Sequence, residues 1–192
     1  AIDEAHCISQ WGYDFRPSYL KISTIREICP TVPIIALTAS ATNEVLKDIQ
    51  VRLALNTPAV FKGSFARPNL VYVNRETETK KEAILEILKR VPGSGIVYVR
   101  NRKETQNLAF WLREQGISAD HYHAGLGMSD RKNKQDAWTN NKTRIIVSTN
   151  AFGMGIDKPD VRTVIHFAPP DSIEAYYQEA GRGGRDGQKA YA

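Results

Sequence analysis

Apolar and polar positions along this chain fall into two alternating kinds of segment. Short continuous apolar runs, typical of buried strands, are separated by longer segments whose apolar residues recur with helical spacing. Beyond residue 70 the pattern predicts strands at 70–74, 95–99, 119–122, 144–148 and 163–167, and helices at 79–91, 103–115 and 129–140. Strands that alternate with helices along a chain form parallel sheets covered by helices, so we expect an α/β fold.

The first 62 residues carry this pattern in a shorter form. An apolar run at 33–38 is typical of a buried parallel strand. Helical spacing follows at 43–55, where Thr42 has the chemistry of an N-cap. The segment 63–69 combines Gly, Pro and Asn between the two patterned regions. We therefore predict one domain at 1–62, a linker at 63–69 and a second domain at 70–192.

Composition narrows the class of protein. The 192 residues are 42% hydrophobic and 24% charged, which is ordinary for a water-soluble chain. No apolar run approaches the roughly 20 residues of a membrane span, and no basic-then-apolar leader opens the chain, so we expect no membrane partner and no secretion. The two cysteines, Cys7 and Cys29, are too few for a disulfide scaffold and too far apart for a local zinc hook, so we expect no structural zinc. An intracellular location, in the cytoplasm or nucleoid, is the expectation that fits.

The net charge of +5 is unevenly placed. Residues 1–62 carry six basic and six acidic side chains, whereas the remainder carries 20 and 15. A basic surplus in the second part is compatible with a polyanionic partner, although the solvated faces of many domains carry as much.

Two arginines near the C-terminus stand among glycines in the run QEAGRGGRDG, residues 178–187. A guanidinium is permanently charged and forks onto phosphate oxygens. Arg182 and Arg185, on a short helix or tight turn, therefore have the chemistry to complete a phosphoryl-transfer site across a cleft. The alternative is a glycine-rich surface turn with two solvated arginines.

Polar residues follow two of the predicted strand segments in the first part of the chain. Asp3 and Glu4 come directly after Ile2, and a strand that ends in paired carboxylates delivers a Mg²⁺ ligand and a general base to a nucleoside triphosphate. Ser40 and Thr42 follow the apolar run at 33–38. The carboxyl ends of strands are where open α/β sheets place their sites.

The segment 10–17 holds Trp11, Tyr13, Phe15 and Arg16 without a helix or strand period. These aromatics are either a hydrophobic plug under a loop or a stacking platform for single-stranded bases, which is worth about 1 to 3 kcal/mol per base. Both interpretations stay open from the residues alone.

Two further groups of polar residues lie in the second part. The loop from Thr149 to Asp157 supplies a hydroxyl, glycine backbone and a carboxylate, so it is either a ribose and phosphate contact or a connection without a ligand. His121 and His123 alternate on a predicted strand, but a third ligand candidate is lacking nearby. We interpret both histidines as structural or as ordinary polar contacts.

Taken in order, these runs resemble the later motifs of RecQ-type superfamily-2 DNA helicases. The resemblance covers essentially the whole chain. It lies in DEAH at 3–6, the aromatic loop at 10–17, LTASAT at 37–42, FGMGIDKPDVR at 152–162 and QEAGRGGRDG at 178–187. Many translocases share DEAH, whereas the aromatic loop directly after it and the GMGIDK run are much more specific to RecQ.

The resemblance implies a role for each motif. Asp3 would hold Mg²⁺ through water, and Glu4 would activate the attacking water. His6, with Ser40 and Thr42, would couple the nucleotide state to DNA. The other residues implied to contact DNA are Trp11, Phe15, Arg16, Arg100 and Thr149. The other residues implied to contact or act on the nucleotide are Gly155, Asp157, Gln178, Arg182 and Arg185.

The resemblance also implies a fold, cofactors and partners. It implies RecA-like parallel sheets with flanking helices, one partial and one nearly complete. It further implies ATP, Mg²⁺ and DNA with single-stranded regions and duplex junctions, and 3′ to 5′ unwinding in DNA repair and recombination. No Gly-x-x-x-x-Gly-Lys-Ser/Thr run occurs in the chain, so we expect the phosphate-cradling P-loop part of the same core as a missing N-terminal partner. Two alternatives stay open, an RNA helicase of the DEAH kind and a non-catalytic nucleic-acid-binding module.

Overall fold

The structure is a computed structural model and describes residues 1–12, 14–153 and 156–192. The chain divides into two units. Unit 1 comprises residues 1–65 and 172–178, and unit 2 comprises residues 66–171 and 179–192. The domain bounds expected from the sequence stay a prediction.

Unit 2 is built on a six-stranded sheet in the order β1-β6-β5-β2-β4-β3. Every neighbouring pair is parallel. The strands are β1 (Leu70–Val71), β2 (Ser94–Tyr98), β3 (Ala119–Tyr122), β4 (Ile145–Ser148), β5 (Val161–His166) and β6 (Ala190–Tyr191). The predicted α/β fold is confirmed. Strand β6 was not predicted, because two residues show no period.

Helices cover both faces of this sheet. They are α3 (Lys80–Arg90), α4 (Arg102–Glu114) and α5 (Met128–Thr139). A further helix, α6 (Ile173–Ala180), begins in unit 1 and ends in unit 2. Val97 of β2 packs with Leu88 of α3 and Leu108 of α4. Its neighbour Ile96 packs on the opposite side with Trp138 of α5. Alternate residues of one strand therefore enter two separate cores, as a buried parallel strand requires.

Unit 1 is smaller and has little regular sheet. Its elements are 3-10 helices at Ala5–Ile8 and Pro17–Thr24, and α-helices α1 (Ile25–Ile28) and α2 (Asn43–Arg52). Ile8 packs against Val45, Ile49 and Leu53 to form its core. None of the helices in the described residues is long and apolar enough to cross a membrane.

The strand predicted at 33–38 does not form. Ile2 and Ala36 make a single parallel bridge, and Ile35 and Leu37 are 60% and 51% exposed. An apolar run becomes a strand only where neighbouring strands pair with it, and within the described part of unit 1 the run is bridged by Ile2 alone. The prediction of a buried strand is therefore wrong here, because strand pairing depends on residues distant in sequence.

Candidate functional site

The two acidic residues follow the bridged residue Ile2. Ile2 N donates to Ile35 O at 2.7 Å, and Leu37 N donates to Ile2 O at 2.8 Å. Glu4 adopts a left-handed conformation with φ 49° and ψ 42°, and its N–H donates to Asp3 Oδ1 at 2.9 Å. Such a conformation is uncommon for a residue with a side chain and concentrates at functional sites. The predicted general base is therefore one of four non-glycine residues with a left-handed backbone among the described residues.

His6 connects the acidic segment to residues 38–42. Its side chain is buried, and Nδ1 lies 3.0 Å from Thr38 Oγ1 and 3.4 Å from Glu4 Oε2. Thr38 Oγ1 also accepts a hydrogen bond from Ser40 N at 3.3 Å. Burial lowers the pKa of His6, so the ring is neutral at pH 7. Sequence reasoning missed Thr38, whose hydroxyl bridges the two motifs.

The aromatic loop is attached to the 3-10 helix that carries His6. Arg16 N donates to Cys7 O at 2.8 Å, and Gly12 N donates to Ser9 O at 3.1 Å. A Cβ at Gly12 would lie 2.6 Å from His6 O, so glycine allows this close approach. Trp11 is nevertheless 78% exposed. An indole exposed to this degree is not a core plug, which leaves the stacking role as the prediction for Trp11.

Two other side chains of the aromatic loop, Phe15 and Arg16, are less exposed than Trp11. Phe15 is half-buried, and Arg16 Nη2 lies 2.5 Å from Asp14 Oδ2. Burial raises the pKa of the Cys7 thiol to about 11, so this group is protonated at neutral pH and is not a nucleophile. Tyr13 lies outside the described residues.

Within unit 1, Ser40 and Gln178 are hydrogen-bonded to each other, whereas Thr42 caps a helix. Thr42 Oγ1 accepts a hydrogen bond from Val45 N at 3.3 Å, so the predicted N-cap of helix α2 is confirmed. Gln178 Nε2 donates to Ser40 Oγ at 3.2 Å. The structure therefore brings Ser40 and Gln178 together and gives Thr42 a structural task.

The arginine run and the loop after β4 lie together in unit 2. Arg182 Nη1 donates to Gly153 O at 2.7 Å, and a Cβ at Gly153 would lie 2.5 Å from Arg182 Nη2. Arg182 Nε is buried and has no hydrogen-bond partner within the described ranges. Arg185 is more exposed and pairs with Asp157, at 2.8 Å between Nη1 and Oδ1. Gly155 lies outside the described residues.

Arg100 and Thr149 lie at the carboxyl ends of neighbouring strands. Tyr98 of β2 is in register with Ser148 of β4, and Val99 N donates to Ser148 O at 2.8 Å. Arg100 is exposed, and Thr149 is half-buried. The two predicted DNA contacts therefore occupy one edge of the sheet, where parallel sheets place their ligands.

Two residues of the predicted linker hold the arginine run in place, which sequence reasoning missed. Arg67 Nη2 donates to Gly183 O and to Gly184 O, both at 2.9 Å. Asn69 Nδ2 donates to Gly184 O at 2.6 Å and to Gln188 O at 2.8 Å. These donors satisfy carbonyls beyond the C-terminal end of helix α6, where a cation is also favoured by the helix dipole. The turn between Arg182 and Arg185 is thus fixed from a distant part of the chain.

We predict that Arg67→Lys destabilises unit 2 by about 1.5 to 3 kcal/mol, the size of a hydrogen bond to a charged group. A lysine ammonium cannot reproduce the fork that spans these carbonyls. Urea unfolding of the chain, followed by far-ultraviolet circular dichroism, measures the change. Arg75→Lys is the matched control, since Arg75 is exposed in the same part of the chain. Equal midpoints for the two variants would contradict the prediction.

Most of the sequence of unit 2 matches the model of a known protein family. Residues 79–187 match the model of the helicase conserved C-terminal domain. This chain belongs to that family. The match runs from helix α3 to the end of the arginine run, and it includes strands β2 to β5.

Three relatives match this chain over nearly its whole length. The chain is 49% identical over 195 aligned positions to RecQ-like DNA helicase blm-1 of Caenorhabditis elegans, covering 99% of this chain and 20% of that protein. It is 47% identical to ATP-dependent DNA helicase RecQ of Pasteurella multocida, and the alignment covers 100% of this chain and 30% of that protein. It is 50% identical to a protein of Acanthamoeba polyphaga mimivirus named as ATP-dependent RNA helicase R290, and the alignment covers 100% of this chain and 35% of that protein. The chain therefore spans about a third or less of the length of these relatives.

The predicted resemblance to RecQ-type helicases is confirmed by these similarities. The structure of Saccharomyces cerevisiae Dbp5 bound to RNA and ADP BeF3 superposes with a TM-score of 0.76 at 20% identity, over 99% of this chain and 51% of that one. At this identity the likeness shows the fold, which is the RecA-like fold expected from the sequence.

Proposed function

We propose that this chain is the part of a RecQ-type helicase core that couples ATP hydrolysis to single-stranded DNA. The whole protein would use ATP and Mg²⁺ to unwind DNA with 3′ to 5′ polarity at sites with single-stranded regions or duplex junctions. It would act inside the cell, in the cytoplasm or nucleoid, in DNA repair and recombination. Its family and its similarity to RecQ-type proteins support this proposal.

The observation that carries the proposal is the attachment of the aromatic loop to the helix of His6. Trp11 is exposed, and its loop is bonded through Arg16 N to Cys7 O, directly beside His6. His6 in turn lies 3.4 Å from the carboxylate of Glu4. A base that stacks on Trp11 would therefore act on a loop only a few bonded residues from the proposed general base.

Each unit carries residues with chemistry suited to a part of ATP hydrolysis. Asp3 would hold Mg²⁺ through water, and Glu4 would accept a proton from the attacking water. Arg182 and Arg185 would stabilise charge that develops on the transferred phosphoryl group. The buried Nε of Arg182, which lacks a partner within the described residues, supports a role toward an anion.

The experiment uses the full-length parent protein. It measures ATPase activity and unwinding of a duplex with a 3′ single-stranded tail, with matched DNA and RNA strands as competitors. We expect DNA to stimulate ATP hydrolysis and RNA of the same sequence to compete weakly. Preferred competition by RNA would favour the RNA helicase alternative, which the name of the mimivirus relative supports. Absence of ATP hydrolysis would favour the non-catalytic nucleic-acid-binding module.

The 192-residue chain by itself is predicted to bind ATP very weakly and not to hydrolyse it. It lacks the Gly-x-x-x-x-Gly-Lys-Ser/Thr run whose backbone N–H groups and lysine cradle nucleotide phosphates. Phosphate release in the presence of Mg²⁺ and single-stranded DNA measures this, with the full-length parent as the positive control. Steady turnover by the purified chain at the parent's rate would show that the prediction is wrong.

A further inference from the structure

Three side chains with metal-ligating chemistry lie at the base of the aromatic loop. The donor atoms of His6, Cys7 and Asp14 all lie within 4.8 Å of one another. Cys7 Sγ is 3.7 Å from His6 Nε2 and 3.8 Å from Asp14 Oδ2. Sulfur and nitrogen ligands on a tetrahedral Zn²⁺ lie roughly 3.6 Å apart, from bond lengths of about 2.3 and 2.0 to 2.1 Å. The two separations that involve the Cys7 sulfur are therefore close to those of a tetrahedral site, and the third lies within 4.8 Å.

His6 is oriented as metal-binding histidines usually are. Nδ1 lies within hydrogen-bond distance of Thr38 Oγ1 and close to Glu4 Oε2. A proton on Nδ1, directed at these oxygens, places the lone pair of Nε2 toward the Cys7 sulfur. Histidine ligands in metalloproteins commonly donate their second N–H to a carboxylate or another oxygen in this way.

The chemistry of the three donors selects a class of cation. Thiolate and imidazole favour Zn²⁺ and similar borderline or soft ions, whereas Mg²⁺ prefers a shell of oxygens. His6 and Cys7 are buried, and Asp14 is partly exposed, which leaves an approach for the ion and a water as fourth ligand. We propose that His6, Cys7 and Asp14 form a binding site for a divalent cation of the Zn²⁺ type.

Occupation of this site changes two existing contacts. The thiol proton of Cys7 passes to solvent as the sulfur becomes a thiolate ligand. Asp14 exchanges its ion pair with Arg16, at 2.5 Å, for the cation. Because Asp14 belongs to the aromatic loop and His6 to the helix beside Glu4, the ion cross-links the two segments. If the proposed function holds, the ion would then inhibit the stimulation of ATPase by DNA.

The experiment titrates the 192-residue chain with Co²⁺, a spectroscopic substitute for Zn²⁺, at neutral pH. We expect a near-ultraviolet sulfur-to-cobalt charge-transfer band that Zn²⁺ removes and that excess Mg²⁺ leaves unchanged. Cys7→Ser should abolish the band. Cys29→Ser is the matched control and should retain it. This readout needs neither ATP nor DNA, so its failure is distinct from failure of the proposed function.

Asp14→Asn provides a second variant that does not alter a buried residue. It should weaken Co²⁺ binding at least about tenfold, because losing even a group that only supports a ligand costs about 10- to 100-fold in metal affinity. When Zn²⁺ is added to the unmodified 192-residue chain, amide exchange in peptides covering Ser9 to Tyr19 should slow. Zn²⁺ should not slow this exchange in the Cys7→Ser variant. Any one of four results would overturn the site. The band could be absent from the unmodified chain, persist in Cys7→Ser or disappear in Cys29→Ser. The fourth such result is an unchanged Co²⁺ affinity in Asp14→Asn. If Cys7→Ser fails to fold, the Asp14→Asn titration decides.

Discussion

Arg185→Ala in the full-length protein is expected to lower kcat for ATP hydrolysis by on the order of a thousandfold, the loss that follows removal of an arginine finger. Nucleotide binding should change much less, because the guanidinium acts on charge that develops in the transition state. The variant should fold normally, since Arg185 makes a surface ion pair with Asp157, whose side chain is 81% exposed. Exposed pairs of this kind contribute about 0 to 1 kcal/mol. Steady-state ATPase kinetics and thermal unfolding measure both quantities.

Two comparisons make the Arg185 result decisive. Arg90→Ala removes another exposed ion pair, with Glu86, and should leave kcat unchanged. Arg182→Ala should lower kcat and also destabilise the fold, because its guanidinium is half-buried and bonded to Gly153 O. A kcat for Arg185→Ala equal to that of Arg90→Ala would mean that Arg185 is a solvated surface arginine.

Trp11→Ala in the full-length protein is expected to remove the stimulation of ATPase by single-stranded DNA. The DNA-independent rate should stay nearly intact, because Trp11 is implied to stack on bases and not to contact phosphate. The free energy of unfolding should also stay nearly constant, since the indole is 78% exposed. A buried aromatic would instead cost about 3 to 5 kcal/mol. ATPase with and without DNA, together with urea unfolding, measures these effects.

The chain offers a control for each half of this prediction. Phe110→Ala truncates an exposed aromatic on helix α4, 56% accessible, and should leave DNA stimulation unchanged. Trp138→Ala truncates a tryptophan that is 1% exposed and should show the stability loss of a core residue. DNA stimulation retained in a well-folded Trp11→Ala protein would rule out the proposed coupling through the aromatic loop.

Local patterns in the sequence were sufficient for most of unit 2. Strands β2 and β4 are buried on both faces, so they appear as continuous apolar runs, and their predicted positions are confirmed within about one residue. Helix α4 begins where Asn101 Oδ1 accepts a hydrogen bond from Glu104 N, another interaction between residues close in sequence. Short-range periodicity and capping are encoded within a few residues, which is why a sequence alone reveals them.

The tertiary structure alone decided the interactions between distant segments. The apolar run at 33–38 makes one bridge with Ile2, because strand formation depends on a partner elsewhere in the chain. Arg182 and Arg185 look alike in sequence, yet the fold bonds one to Gly153 and exposes the other.

Contacts between residues far apart in sequence also could not be predicted from local patterns. Arg67 reaches Gly183 across 116 positions, and His6 meets Thr38 across 32. Asp14 joins Cys7 only because the aromatic loop folds back on its own helix. The sequence thus determined most of the secondary structure of unit 2, apart from short elements such as β6, and the residue types of the motifs. Their burial, pairing and mutual distances followed from packing between segments that no local pattern encodes.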